Sequence, residues 1–265
     1  MSRIENTFRT LAAAKKKAYI GYAMAGFPET SHDLGLAQGI LAEADLLEIG
    51  VPFSDPIADG VVLQKAGERA LANGGGLKRA LELAKALRQG SEKPLLLMSY
   101  LNPLLSMGLD TFAHAAKGAG VDGVVIPDLP PDGQDGFAAA LKEAGLDVVF
   151  LVAPTSTPAR LKAVAKAASG FVYVVSVAGV TGERQVFDSR LEKTVAEMRK
   201  HSKLPLAIGF GISSPEGAKE MAALSDGVVV ASTVLKTVQD STDPDNGVHA
   251  AIERTRLLAR AVKEL

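Results

Sequence analysis

The feature that most narrows the possible folds is a rhythm. Eight short apolar runs, Tyr19–Ala23, Leu46–Ile49, Leu95–Met98, Gly123–Ile126, Val148–Val152, Phe171–Val175, Leu206–Ile208 and Gly227–Val230, alternate with longer segments of helical periodicity. The runs lack apolar–polar alternation, so they read as strands buried on both faces, as parallel strands are. Parallel neighbours need a crossover connection. The intervening segments supply it: Leu34–Ala42, Leu63–Ala72, Leu77–Leu87, Leu109–Ala119, Gly133–Ala144, Pro158–Ala168, Leu191–Lys200, Pro215–Ala223 and Val248–Val262. Eight such units in 265 residues predict a single (β/α)8 TIM barrel over residues 1–265, with an open doubly wound sheet as the competing arrangement. Ahead of the first strand, Arg3–Lys16 carries Ile4, Phe8, Leu11 and Ala12 at helical spacing and predicts an extra N-terminal helix, placed like a lid. Lys15–Lys17 are then expected at that helix's C-terminal end, where cations favour the macrodipole.

Composition removes several function classes. Hydrophobic residues at 47% against 22% charged are ample for a large core, and a formal net charge of −1 gives no basis for a nucleic-acid surface. With no cysteine, disulfides, thiolate catalysis and cysteine-type zinc sites are excluded. His32, His114, His201 and His249 are scattered without an i,i+4 pair, so no metal site is expected and local or solvated roles are. The lysine run followed by AYIGYAMAGF imitates a signal peptide, but it lies behind an amphipathic segment and ends at Pro28 in a loop. No apolar run approaches the ~18 residues of a membrane span. A cytoplasmic location is expected, or a plastid stroma for a plant chain that has lost a transit peptide.

Chemistry is concentrated in LLEIGVPFSDPIADG, Leu46 to Gly60. Glu48 stands among apolar strand residues, where lost hydration disfavours its charged form and raises its pKa toward the range useful for proton transfer. Asp59 lies at the far end of a loop punctuated by Pro52, Pro56 and Gly60, where it is expected to stay ionised. Two carboxyls held in different protonation states suit a division of acid and base roles. The alternative is structural: Glu48 as an ion-paired strand end and Asp59 as a turn or cap residue.

A second signal follows the last two strands. GFGISSPEGA and ASTVLK both lead from small residues into a helix start, with Ser213 or Ser214 able to cap one helix ahead of Pro215, and Ser232 or Thr233 the other. Loops in these positions of a barrel commonly hold a phosphate through backbone N–H groups, and no lysine is required. Ordinary βα turns would also use glycine and serine here. GFGISS lacks the third glycine of a dinucleotide fingerprint, and nothing matches GxxxxGK[ST]. Tyr22, Tyr100 and Phe210 at or just past strand ends, with Tyr173 within a strand, would together form a flat slot for an aromatic substrate, though each alone also suits the core.

The strings LEIGVPFSDPIADG, QKAGERAL, MSYLNP, IPDLP, VVSVAGVTG and GFGISSPE, in this order and nearly end to end, resemble the tryptophan synthase alpha subunit family. The resemblance implies a (β/α)8 barrel that cleaves indole-3-glycerol phosphate to indole and glyceraldehyde 3-phosphate. It implies no cofactor in this chain, and pairing in an α2β2 complex with a beta subunit that carries pyridoxal phosphate. Glu48 then matches the family's catalytic glutamate and Asp59 its catalytic aspartate. Tyr173 matches a tyrosine near the reacting part of the substrate, Thr181 and Gly182 fall on the loop after strand six, Gly182, Gly211 and Ser232 match phosphate contacts, and Tyr22, Tyr100 and Phe210 match the indole pocket. Two positions depart from the family pattern. Val61 replaces the proline of ADGP, which implies a less stiff loop, and Ala231 replaces the glycine before the serine at the phosphate, which implies closer crowding there. Other readings compatible with the phosphate turns are a barrel isomerase of another sugar phosphate, a noncatalytic partner subunit and a stand-alone indole producer.

Overall fold

Eight strands, β1 (Ala18–Met24), β2 (Leu46–Gly50), β3 (Leu95–Met98), β4 (Gly123–Val125), β5 (Asp147–Val152), β6 (Val172–Val175), β7 (Leu206–Gly209) and β8 (Gly227–Val230), pair in parallel and in chain order. The computed structural model describes the whole chain apart from residues 134–135, 177–188 and 210. β8 returns to β1 with Ala18 opposite Gly227 and Gly21 opposite Val230, so the sheet closes and the open doubly wound alternative is ruled out. Around it run α1 (Arg3–Ala13), α2 (Asp33–Glu43), α3 (Val61–Ala72), α4 (Leu77–Arg88), α5 (Leu101–Met107), α6 (Leu109–Gly118), α7 (Phe137–Glu143), α8 (Pro158–Ala167), α9 (Ser189–His201), α10 (Pro215–Leu224), α11 (Ser232–Gln239) and α12 (Pro244–Lys263). Among the described residues, no helix is long and apolar enough to cross a membrane.

Each strand divides its side chains between two cores because successive residues point to opposite faces. Leu47 and Ile49 face the surrounding helices, while Leu46 joins Ile20, Leu96, Val125, Val149 and Ala207 inside the barrel. Glu48 lies two residues beyond Leu46, so it returns to the interior one layer higher. This placement makes an acid inside a barrel unavoidable once β2 is in register.

α1 closes the opposite end. Ser2 accepts a hydrogen bond from the Glu5 N–H at 3.1 Å and starts the helix. Ile4 and Phe8 then insert among the lower barrel side chains, with the Phe8 ring centroid 5.6 Å from that of Phe171. The expected lid is therefore a plug at the N-terminal ends of the strands. The helix is also shorter than its periodicity suggests: Lys15 takes a left-handed φ of 56°, and the Lys16 N–H reaches back to the Leu11 carbonyl at 2.8 Å, a Schellman-type stop. The lysines thus lie beyond the last turn, where none of its residues is basic. Three other differences are local. α5 forms across LNPLLSM, where Pro103 sits early enough for helix to be tolerated, α7 begins at Phe137 rather than at Gly133, and α12 begins at Pro244 rather than at Val248.

Candidate active site

Glu48 is 2% exposed, opposite Tyr22 on β1 and Leu96 on β3. Burial, with the nearby charge of Asp59 second, pushes its carboxyl from 4.5 up to about 8. Its Oε2 is buried without a hydrogen-bond partner among the described residues. The structural alternative was an ion-paired strand end; among the described residues Glu48 makes no ion pair, and it lines a cavity.

Asp59 arrives from the loop after β2, whose shape is fixed from beneath. The Tyr100 hydroxyl accepts the Ala58 N–H at 2.9 Å, the Asp59 N–H donates to the Pro56 carbonyl at 3.0 Å, and the Gln64 side-chain amide donates to the Asp59 carbonyl at 2.8 Å. Phe53 packs on Tyr100 with ring centroids 5.5 Å apart. Asp59 is less open than its Pro- and Gly-rich loop suggests. Burial raises its pKa from 3.8 to about 6, and the Tyr100 hydroxyl opposes that rise. The expected division of states survives in order: at neutral pH Asp59 is largely ionised and Glu48 largely protonated.

A cavity of about 550 Å³ opens above the inner core, lined by Tyr22, Glu48, Met98, Leu151 and Tyr173 on the barrel side. Both tyrosines lie against glycine. A Cβ at Gly50 would overlap the Tyr22 hydroxyl, and one at Gly209 would overlap the Tyr173 hydroxyl. These two strand-end glycines leave the space that the tyrosine hydroxyls occupy. Tyr100 braces the Asp59 loop and is not among the residues lining the cavity, while Thr181, Gly182 and Phe210 lie outside the described residues.

Gly211, Ser213, Ala231, Ser232 and Thr233 line the other part of the same cavity. Gly211 has φ 74°, which a side chain would disfavour, and Ser214 caps α10 by accepting the Gly217 N–H at 3.1 Å. α11 starts differently: Ser232 is its first residue, Ala231 stands at the cap with no side-chain hydrogen bond, and neither Ser232 nor Thr233 caps it. Its first N–H groups consequently have no side-chain acceptor at the cap. Ala231 adopts φ −122°, so its methyl group carries no backbone strain, although it does line the cavity. Lys236 lines the cavity too and was missed in the sequence; its spacing of four from Ser232, one helical turn, is the signal that would have found it. Among the described residues no group of three or more His, Asp or Glu side chains could hold a metal ion.

Fold and cavity together define a class, a (β/α)8-barrel enzyme with one carboxyl at the end of β2, a second of lower proton affinity on the loop that follows, and a small-residue cradle after β7 and β8. The family model described as "Tryptophan synthase alpha chain" matches residues 8–263. The tryptophan synthase alpha chain of Phenylobacterium zucineum is 43% identical over 99% of this chain and 96% of its own length, and that of Geotalea uraniireducens is 46% identical over 91% and 90%. The tryptophan synthase subunit alpha of Legionella pneumophila superposes with a TM-score of 0.91 at 33% identity, covering 100% of both chains. A structure of Mycobacterium tuberculosis tryptophan synthase gives 0.90 at 34%, covering 99% of this chain and 98% of that one. The chain belongs to the tryptophan synthase alpha chain family.

Proposed function

We propose that this chain cleaves indole-3-glycerol phosphate to indole and glyceraldehyde 3-phosphate by a retro-aldol reaction, with Glu48 as proton shuttle and Asp59 as its charged counterpart. The observation that carries this reading is a buried Glu48 that lines a cavity of about 550 Å³, its Oε2 without a hydrogen-bond partner among the described residues, with Asp59 near enough for its charge to raise the Glu48 pKa. Cleavage requires a proton at indole C3 and removal of the proton from the side-chain hydroxyl. Glu48 delivers the first and receives the second, ending as it began while the carbon–carbon bond breaks and the carbonyl of the aldehyde forms. Asp59 accepts the indole N–H and stabilises the positive charge that spreads over the ring when C3 is protonated. No step calls on a redox group.

Tyr22 and Tyr173 form the walls for the ring and Tyr100 positions Asp59. Gly211 after β7 and Ser232 at the start of α11 receive the phosphate through backbone donors; Thr181 and Gly182, the other residues expected to take part, lie outside the described residues. Inorganic phosphate is then a competitor of the substrate.

The partner in this reading is a beta subunit containing pyridoxal phosphate, in an α2β2 assembly that consumes the indole, within the cytoplasm. The outer side of the Asp59 loop supports it. Ile57 is 82% exposed and Leu105, on α5 after β3, is 42% exposed, apolar side chains that a lone chain gains nothing from displaying. The deciding experiment is turnover of indole-3-glycerol phosphate by the purified chain, alone and with a beta subunit. Indole release that rises on adding the beta subunit supports the reading, and no release in either state overturns it.

A further inference from the structure

Among the described residues lining the cavity a single side chain is cationic, Lys236. It follows Ser232 by four positions on α11, so the two share a helix face, and helical side chains lean toward the N-terminus of their own helix. Lys236 is therefore built to reach back toward Ser232 and Thr233. Its ammonium instead lies against Asp240, one turn further on, at 2.7 Å from each carboxylate oxygen. Both partners are open to solvent, 58% and 61% exposed, and exposed pairs of this kind contribute little. Asp240 holds the lysine weakly and on the side away from the start of the helix.

We propose that Lys236 is a substrate-binding residue for the phosphate dianion, leaving Asp240 for the phosphate when substrate enters, and that it sets the preference for phosphorylated over unphosphorylated indole compounds. This rests on the cavity being the indole-3-glycerol phosphate site. Backbone N–H groups are neutral donors and accept many small polar groups; an ammonium adds selection for charge. Asp240 tunes that selection. An anion must displace it, so monoanions and weak acceptors are disfavoured relative to a dianion, and the lysine is not left unpaired when the site is free.

The test compares Lys236→Met, Lys236→Arg and Asp240→Asn with the parent chain. Binding of glycerol 3-phosphate is measured by calorimetry, and cleavage of indole-3-glycerol phosphate in the steady state. Lys236→Met is expected to weaken glycerol 3-phosphate binding and raise KM about 10- to 30-fold, as loss of one charge-assisted hydrogen bond does. kcat should fall less than about threefold, because the lost contact is made equally in ground and transition states. Indole, which has no phosphate, should bind both forms alike. Lys236→Arg should stay within about threefold of the parent, and Asp240→Asn should tighten glycerol 3-phosphate about two- to threefold by releasing the lysine. Unchanged glycerol 3-phosphate binding in Lys236→Met overturns the proposal, as does equal weakening of indole. Failure of the lyase reading looks different: the parent chain would bind glycerol 3-phosphate in a Lys236-dependent way yet release no indole.

Discussion

Asp122, at the end of the barrel plugged by α1, and Glu48, at the opposite end, are buried to nearly the same degree, 5% and 2% exposed, and are treated in opposite ways. Asp122 receives Arg88 at 2.6 Å, Arg3 at 3.1 Å and the Leu95 N–H at 2.9 Å, so both its oxygens are paired. Nearby, the Lys93 ammonium donates to the carbonyls of Leu41, Ala42 and Ala44. Among the described residues Glu48 has no counter-ion and a bare Oε2, with a second carboxyl close by. A buried acid that is paired holds elements together; one that is left unpaired keeps its proton and can give it away. The difference lies in what the neighbouring elements send, arginines below and another acid above.

Substitution should separate the two ends. Glu48→Gln keeps the shape of a neutral carboxyl and removes the transferable proton, so kcat is expected to fall about 10²- to 10⁴-fold with substrate affinity changed much less. Near-normal turnover would remove Glu48 from the shuttle role. Asp122→Ala should do the reverse. Stripping one member from a buried ion pair is expected to destabilise the fold by about 3–5 kcal/mol in urea unfolding, while the folded fraction retains its kcat. If Asp122→Ala lowers kcat as Glu48→Gln does, the two ends are not functionally distinct.

pH sharpens the contrast. Activity is expected to rise with pH through about 6 as Asp59 ionises, and to fall through about 8 as Glu48 loses its proton. The two limbs belong to the pair, since the Asp59 charge is part of what raises Glu48. Asp59→Asn should therefore move the upper limb down, read on residual activity or by NMR titration of Glu48. Stability carries the same signature. The folded state holds the Glu48 proton above 4.5, where an unfolded glutamate has released it, so this group's contribution is fully present below 4.5, is lost progressively up to about 8 and is flat beyond. Glu48→Gln lacks this loss and should be the more stable form at pH 8 by about 3–5 kcal/mol, with little difference at pH 4. A parent chain no less stable than the variant at pH 8 would contradict a protonated Glu48.

The strands were legible because a barrel of parallel strands leaves a pattern that few other folds share, and all eight runs lie within a residue or so of the observed ones. Glu48 and the small-residue turns were legible for a related reason: an acid in an apolar run and glycines ahead of a helix are local anomalies. What escaped depends on contacts made across the fold. Gly50 and Gly209 reveal their purpose only when Tyr22 and Tyr173 are placed over them, Tyr100 turns out to serve the Asp59 loop, and the burial of Asp59 comes from that packing. α11 looked like a capped turn because its serine and threonine are good cap residues, yet the helix already includes both and has Ala231 at its cap. Lys236 passed unnoticed since a lysine in an amphipathic helix is ordinary until a cavity is seen beside it.

The smallest expected effect concerns Val61, where the family pattern has proline. Val61 is the first residue of α3, 64% exposed, with Gly60 at the cap in an extended conformation of φ −76° and ψ 166°. The first helical position is where proline fits best, because its N–H precedes the first intrahelical bond and its φ is already helical. The extended ψ of Gly60 is also what a following proline demands. The Gln64 N–H bond to the Gly60 carbonyl, 3.0 Å, does not involve the Val61 nitrogen and would persist. Val61→Pro should consequently favour the ordered form of the segment that presents Asp59, by about 0.4–1 kcal/mol, through the freedom it removes from disordered states. An isolated chain limited by that ordering would gain up to about fivefold in cleavage rate, and a chain already held by a beta subunit would gain less. Steady-state cleavage by both forms, with and without beta subunit and with complex formation confirmed by sedimentation, gives four rates. Equal rates in all four would show that ordering of this segment does not limit turnover, and a loss confined to the complex would mean that the exposed valine side chain itself meets the partner.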